Sequence, residues 1–338
     1  MAPSPAKHTI NPARPASSQR ESGGDVDSPS LTPLAAVAAA ALSTVASLAL
    51  GACSDLPTAD RAASPASARA GNDQPGACRQ YGEPVKLGNG RARTYVVIDQ
   101  RNGGAPLEVG VALDEHALDG LPAPMAMPPG GGMGHGDMHE YVLPLPAQNA
   151  TPYKFVALNW NPGGHGYPYD SAHFDFHFNL VSRAERDAID PQLLGPEQYG
   201  AKSANLPAGA AAPPFYVPLF LPGQPIVAVA KMGVHWGDLR SPELQAILGN
   251  PQGYRLFTTT YFRGSWDGKF IFDEPMVTRE FILARRTATT PAQRDSVMTL
   301  PTAQAYSPAG YYPAGYHVAW DAQAREYRIG LTQLAWRE

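Results

Sequence analysis

The sequence predicts a mainly β protein, a single sandwich- or barrel-like domain with a few short helices. Three observations predict it. Short β-rich runs recur at near-regular spacing along the chain. Turn residues are dense: 33 glycines and 35 prolines exceed the usual shares of roughly 7% and 5% without reaching disorder. And in Ala172-His173-Phe174-Asp175-Phe176-His177-Phe178, metal-ligating residue types alternate strictly with phenylalanines. Successive side chains of a strand point to opposite faces. His173, Asp175 and His177 therefore share one face, and Phe174, Phe176 and Phe178 anchor the other.

In chain order, residues 1–52 read as a leader. Leu34 to Leu50 is an apolar, Ala-rich run shorter than the ~20 residues that span a bilayer, which suits the apolar region of a signal peptide. Some thirty mostly polar residues precede it, Glu21, Asp25 and Asp27 among them, unlike the short basic start of such leaders. Residues 53–80 are rich in Ala, Ser, Pro, Asp and Gly and read as a flexible tether. Residues 81–338 form the β-rich domain, long enough to bury a core.

Its predicted strands are Tyr95–Asp99, Leu107–Leu113, Glu140–Leu145, Phe155–Asn159, Ala172–Leu180, Phe215–Phe220 and Ile226–Met232. Arg255–Phe262 and Lys269–Phe272 flank a turn at Arg263–Gly268. Met276–Ala284 is a further strand, and Tyr316–Trp320 and Tyr327–Leu331 form a terminal hairpin. Helices are expected at Ser182–Ile189, from the Ser241-Pro242 start and from the Thr290-Pro291 start, where a capping hydroxyl precedes proline at the first helical position.

Of nine histidines, His8 lies in the leader and His116 in a polar loop. On an extended strand, positions i and i+4 lie ~13.6 Å apart, too far for two imidazoles to close on one ion with bonds of about 2.0–2.1 Å. Positions i and i+2, ~7 Å apart, can chelate. The strand therefore supplies His173 with Asp175, or Asp175 with His177, and other ligands come from elsewhere. His165 sits on a Gly-flanked loop, His235 near a strand end, and Glu274 in Phe272-Asp273-Glu274-Pro275-Met276. Such a set suits a divalent ion, zinc first, with iron, manganese or copper compatible. Asp175 can instead hold a histidine in the right tautomer. A hydrogen-bonded network without metal is the alternative.

A Met/His loop spans residues 122–139, with Met125, Met127, Met133 and Met138 beside His135 and His139. Thioethers favour Cu(I), but a flexible Gly/Pro loop whose methionines touch the surface explains the segment better. A net charge of −4 gives no basic face for nucleic acid. No phosphate-binding Gly-Lys-Ser/Thr loop, no Gly-x-Ser-x-Gly elbow and no His-Glu-x-x-His is present. Trp160, Trp236 and Trp266, near Asp238 and Asp267, read as core and turn residues rather than a sugar-binding face.

Leu50-Gly51-Ala52-Cys53 resembles the lipobox of bacterial lipoproteins. The resemblance implies a lipidated Cys53 at the start of the mature chain and a place in the cell envelope. Ser54, not Asp, follows Cys53, which leans toward the outer membrane or the periplasmic face. With Cys53 lipidated, Cys78 would have no intrachain partner.

A second resemblance rests on several motifs in order. They are Asn159-Trp160-Asn161-Pro162-Gly163-Gly164-His165, His173-Phe174-Asp175-Phe176-His177-Phe178, Met232-Gly233-Val234-His235-Trp236, Gly264-Ser265-Trp266-Asp267-Gly268-Lys269, Phe272-Asp273-Glu274-Pro275-Met276 and Tyr312-Pro313. Together, over roughly residues 90–335, they resemble a family of uncharacterised bacterial exported proteins typified by a Thermus member under extracytoplasmic-stress control. The resemblance implies one β-rich extracytoplasmic domain and allows a homo-oligomer; it carries no activity. Val234-His235-Trp236 and the His/Phe strand are also similar to pieces of α-carbonic anhydrase. That family needs a His-x-His pair where Asp175 stands, and the order of the pieces differs. The leading expectation is a membrane-tethered lipoprotein that binds a divalent metal. A metal-dependent hydrolase or cupin-like oxygenase, and a metal-free envelope interaction protein, are the alternatives.

Overall fold

The computed structural model describes residues 76–124, 137–219, 228–252 and 256–338. The leader, most of the tether, Cys53, and Met125, Met127, Met133 and His135 of the Met/His loop lie outside them.

Two open antiparallel sheets face each other. The first contains β1 (Ala77–Tyr81), β2 (Val85–Leu87), β3 (Gly90–Asp99) and β4 (Ala105–Asp114) from the start of the domain. The second contains β5 (His139–Pro144), β6 (Phe155–Asn161), β7 (His173–Asn179), β8 (Tyr216–Pro218), β9 (Val234–Asp238), β10 (Thr259–Trp266) and β11 (Lys269–Thr278) in the order β5-β6-β7-β11-β10-β9-β8. The chain then returns to the first sheet with β12 (Asp295–Thr299), β14 (Gly315–Asp321) and β15 (Glu326–Thr332), giving the order β1-β3-β4-β15-β14-β12 with β2 paired to β3. A short pair, β13 (Gly310–Tyr312) with β16 (Ala335–Arg337), stands apart. Of the two architectures expected, the sandwich forms and the barrel does not.

Period-two alternation builds the core. Val109, Val111 and Leu113 of β4 and Ile329 and Leu331 of β15 point inward from the first sheet. Val156, Leu158 and Trp160 of β6 and Phe174, Phe176 and Phe178 of β7 meet them from the second. All three phenylalanines are fully buried, each contributing about 1.5–3 kcal/mol through burial. Their inward placement sends His173, Asp175 and His177 to the outer face of the second sheet.

The helices follow their capping chemistry. In α1 (Arg183–Asp187), the Ser182 side chain accepts from Glu185 N–H and Glu185 reaches back to the Ser182 backbone, a complete capping box. α2 spans Pro191–Ala204, and α3 (Pro242–Ile247) starts on the Ser241 cap. α5 (Pro291–Arg294) starts on the Thr290 cap.

Four expectations are corrected. β11 extends to Thr278, and α4 (Arg279–Thr287) follows where a strand to Ala284 was expected, because the Thr278 side chain accepts from Phe281 N–H and caps a helix. The described part of Ile226–Met232 is a turn, since Lys231 (φ 65°) and Gly233 (φ 67°) leave the extended region, and the strand begins at Val234. The β10–β11 turn is only Asp267-Gly268, both with positive φ, so β10 runs through Arg263–Trp266. Finally, α2 was not expected. Its polar sequence shows no apolar stripe, and Gly195 (φ 72°) breaks it before Pro196.

Candidate metal centre

Sheet register assembles the site. On β6, Asn161 lies opposite His173, Asn159 opposite Asp175 and Ala157 opposite His177. On β11, Thr278 lies opposite His173 and Met276 opposite Asp175. Cross-strand partners share a face, so Glu274, two residues before Met276, joins the same outer surface. β10 pairs Gly264 with both Phe272 and His235. A Cβ on Gly264 would sit 2.0 Å from Phe272 Cε1, so glycine lets the Phe272 ring lie flat across β10 beneath the approaching His235. The His235 and Phe272 ring centroids are 5.4 Å apart.

The six candidate residues separate into two groups of three, and His173 and His177 of the one strand fall in different groups. In the first, His173 Nε2 lies 3.3 Å from Asp175 Oδ1 and His165 Nε2 lies 3.5 Å from Asp175 Oδ2. In the second, Glu274 lies between two imidazoles, with His177 Nε2 at 3.6 Å from Oε1 and His235 Nε2 at 3.5 Å from Oε2. Ligand atoms bonded at about 2.1 Å to one tetrahedral ion stand about 3.4 Å apart. Each group thus offers two imidazole nitrogens and one carboxylate at the spacing of a shared ion.

Supporting contacts fix which nitrogen faces inward. His173 Nδ1 lies 2.6 Å from the Ser171 carbonyl, which can only accept, so Nδ1 carries the proton and Nε2 a lone pair when the ring is neutral. His177 Nδ1 lies 3.0 Å from Asn159 Oδ1. Asn161 Nδ2 donates to Asp175 Oδ2 at 2.8 Å. His165 is presented by a tight loop in which its N–H donates to Tyr169 O at 2.9 Å and Tyr169 N–H to Gly166 O at 2.7 Å. His173 Nε2, Asp175 Oδ1, His177 Nε2 and Glu274 Oε2 are buried without a hydrogen-bond partner. Such atoms cost on the order of 1–3 kcal/mol each unless something pairs with them.

The electrostatics match two cation-seeking pockets. Burial opposes ionisation of Asp175, but His165 and His173 beside it hold its carboxyl well below the usual range. Burial also disfavours a charged His173, yet Asp175 and the Ser171 carbonyl raise it above its ordinary value. Burial lowers His177 to about 4. Burial, then the charge of Asp175, pushes Glu274 well up. Asp175 thus favours its charged, ligating form, whereas Glu274 holds its proton more tightly than an ordinary carboxyl, and a divalent ion there would have to displace it.

Above the two groups lies a cavity of about 330 Å³. His165, Asp175, His235 and Glu274 line it, whereas His173 and His177 sit behind them. Asn159, Asn161 and Ser171 were not singled out by sequence reasoning as supports, although the polar alternation Asn159-x-Asn161 mirrors that of the strand it pairs with. Elsewhere, Met138 and His139 lie at the start of the second sheet, and the side chain of His116 is exposed beside Glu115 and Asp119. His317, on the first sheet, is buried in a separate network with Glu108 and Asp295. Cys78 is buried and disulfide-bonded, which corrects the expectation that it stays unpaired.

No curated protein and no solved structure matches the chain. A family model described as TTHB210-like, hypothetical protein TTHB210, matches residues 102–160. That span carries β4, β5 and β6 up to Trp160, including Asn159, and stops before all six candidate ligands. Over this stretch the chain is similar to a family of Thermus hypothetical proteins, in keeping with the family its motifs suggest.

Proposed function

We propose that this protein binds two divalent metal ions, one held by His165, His173 and Asp175 and one by His177, His235 and Glu274. The observation that carries the reading is a set of four buried atoms without a hydrogen bond, His173 Nε2, Asp175 Oδ1, His177 Nε2 and Glu274 Oε2, in two groups whose imidazole-to-carboxylate distances are 3.3–3.6 Å. Two imidazoles with one carboxylate suit zinc first, and are compatible with the iron sites that share this donor set. Elemental analysis of the untagged protein tests it. About two metal equivalents are expected, falling to one in His173→Ala and to one in His235→Ala. Unchanged metal content in both folded variants would sink the assignment and return the residues to a polar network, with partner binding the next question.

A metal-dependent enzyme is the second reading. It is favoured by three protein ligands per group and by the adjoining cavity. Catalytic sites keep a position open, where a metal polarises a carbonyl or activates water. A panel of ester and phosphoester substrates, run with the metal-loaded protein and with His235→Ala, would reveal it.

We further propose that the chain is exported and tethered in the cell envelope through Cys53. A lipidated Cys53 and a disulfide between Cys53 and Cys78 need the same sulfur, so they exclude one another. Intact mass of the mature protein decides: diacylglycerol mass on Cys53 supports the tether, while an unlipidated chain that gains two protons on reduction refutes it.

A further inference from the structure

A cavity adjoins both groups, and this inference rests on the two-metal reading above. One wall carries His165 and Asp175 of the first group and His235 and Glu274 of the second. Much of the remainder is apolar, formed by Leu219, Met232, Leu244, Ile247, Phe262 and Met276. Water gains little from such a wall, whereas a hydrocarbon chain is well accommodated by it. The volume of about 330 Å³ falls in the roughly 300–1,000 Å³ range of small-molecule sites. It holds roughly ten non-hydrogen atoms at about 30 Å³ per water-sized group.

Charge selects the head of the ligand. Once bound to a divalent ion, each group would ligate it through two neutral imidazoles and one carboxylate, which leaves each site with a net positive charge. An open position on such an ion prefers an anionic oxygen donor. The four lining ligands put that preference at one wall of an otherwise apolar chamber. We propose that the cavity binds a medium-chain monocarboxylic acid, its carboxylate directed at the metals and its alkyl chain packed against Leu244, Ile247 and Phe262.

Calorimetric titration of the full chain with octanoate tests this, with metal content measured in the same samples. Octanoate should bind the metal-loaded protein at least ~10-fold more tightly than the chelator-stripped protein. Butyrate, four methylenes shorter, should bind on the order of 100-fold more weakly. Octanol, which lacks the charged head, should bind at least ~10-fold more weakly than octanoate. Leu244→Trp, or Ile247→Trp at a half-buried position should the first not fold, fills the chamber. Either should abolish octanoate binding while leaving both metal equivalents in place. Octanoate binding that is equal with and without metal, or equalled by octanol, overturns the assignment of the head. Two bound metals without octanoate binding overturn the ligand class and leave the metal reading standing. Absence of metal from both groups overturns the two together.

Discussion

The buried network around His317 makes a prediction whose size and sign both follow from the structure. His317 Nε2 lies 3.0 Å from Glu108 Oε1 and Nδ1 lies 2.8 Å from Asp295 Oδ1, with the His317 and Glu108 side chains 1% and 0% exposed. The Tyr95 hydroxyl donates to the same Glu108 oxygen, and Arg79 adds a favourable charge. Glycines at 110 and 330 make room for this meeting: a Cβ on Gly330 would lie 2.6 Å from Glu108 Oε1 and 2.8 Å from His317 Nε2. Burial opposes a charged His317, but Glu108 and Asp295 raise it to about 10. Burial opposes a charged Glu108, but His317 lowers it to about 2.

A histidine raised in the folded state stabilises fully below its ordinary value of about 6.5, and its contribution is lost as pH rises toward about 10. A carboxylate lowered in the folded state contributes fully above about 4.5 and loses this as pH falls toward about 2. Both contributions are therefore complete between about pH 4.5 and 6.5. At about 1.4 kcal/mol per pH unit, the span from 6.5 to about 10 corresponds to about 5 kcal/mol, the upper end of the ~3–5 kcal/mol cost of breaking a buried pair. Glu108→Gln and His317→Gln should each lower stability by about 3–5 kcal/mol at pH 5.5. At ~2–4 °C per kcal/mol this is roughly 6–20 °C in Tm. Thermal and urea unfolding followed by circular dichroism at pH 5.5, 7 and 9 provide the assay. The gap between native and variant protein should narrow as pH rises from 6.5 toward 10, because only the native chain loses the protonated His317 that Glu108 stabilises. A gap that stays constant from pH 5.5 to 9, or a Tm change under about 2 °C, would refute the reasoning.

Three further outcomes are expected. Gly264→Ala drives a methyl into the Phe272 ring, displaces His235, and should remove the metal equivalent of the second group while sparing the first, as read by elemental analysis. Metal affinity should rise with pH, because His173 and Glu274, both raised above their ordinary values, hold protons that a metal must expel; competition with a zinc indicator dye would show a flat response if these residues are not ligands. Phe176→Ala should cost about 3–5 kcal/mol in urea unfolding, since Phe176 is fully buried between the sheets; a loss below about 1 kcal/mol would mean that β7 does not anchor the core.

Local pattern made much of the fold legible. Alternation at 173–178 identified β7 and its two faces, and Ser182, Ser241 and Thr290 marked helix starts through side chains that accept from N–H groups three residues on. The misreadings were also local. Thr278 is an ordinary strand residue by type, and only its hydroxyl reaching Phe281 N–H makes it a cap that ends β11 and begins α4. Lys231 gives no hint of its left-handed backbone.

The chain by itself indicated that His173, Asp175 and His177 share a face, that an unbent strand hardly lets one ion take both histidines, and that His165, His235 and Glu274 were candidates to add. Period two and a rise of ~3.4 Å per residue hold wherever a strand forms, so these statements need no neighbours. The partition into two groups came only with the tertiary structure. Glu274 reaches His177 because β11 pairs with β7 in one particular register, and His235 reaches Glu274 across β10 because Gly264 lets Phe272 lie low. The cavity depends on α3 and the His165 loop meeting over that face. Pairing register and the packing of distant segments depend on the whole core, and a slip of one residue would turn every donor to the other side of the sheet.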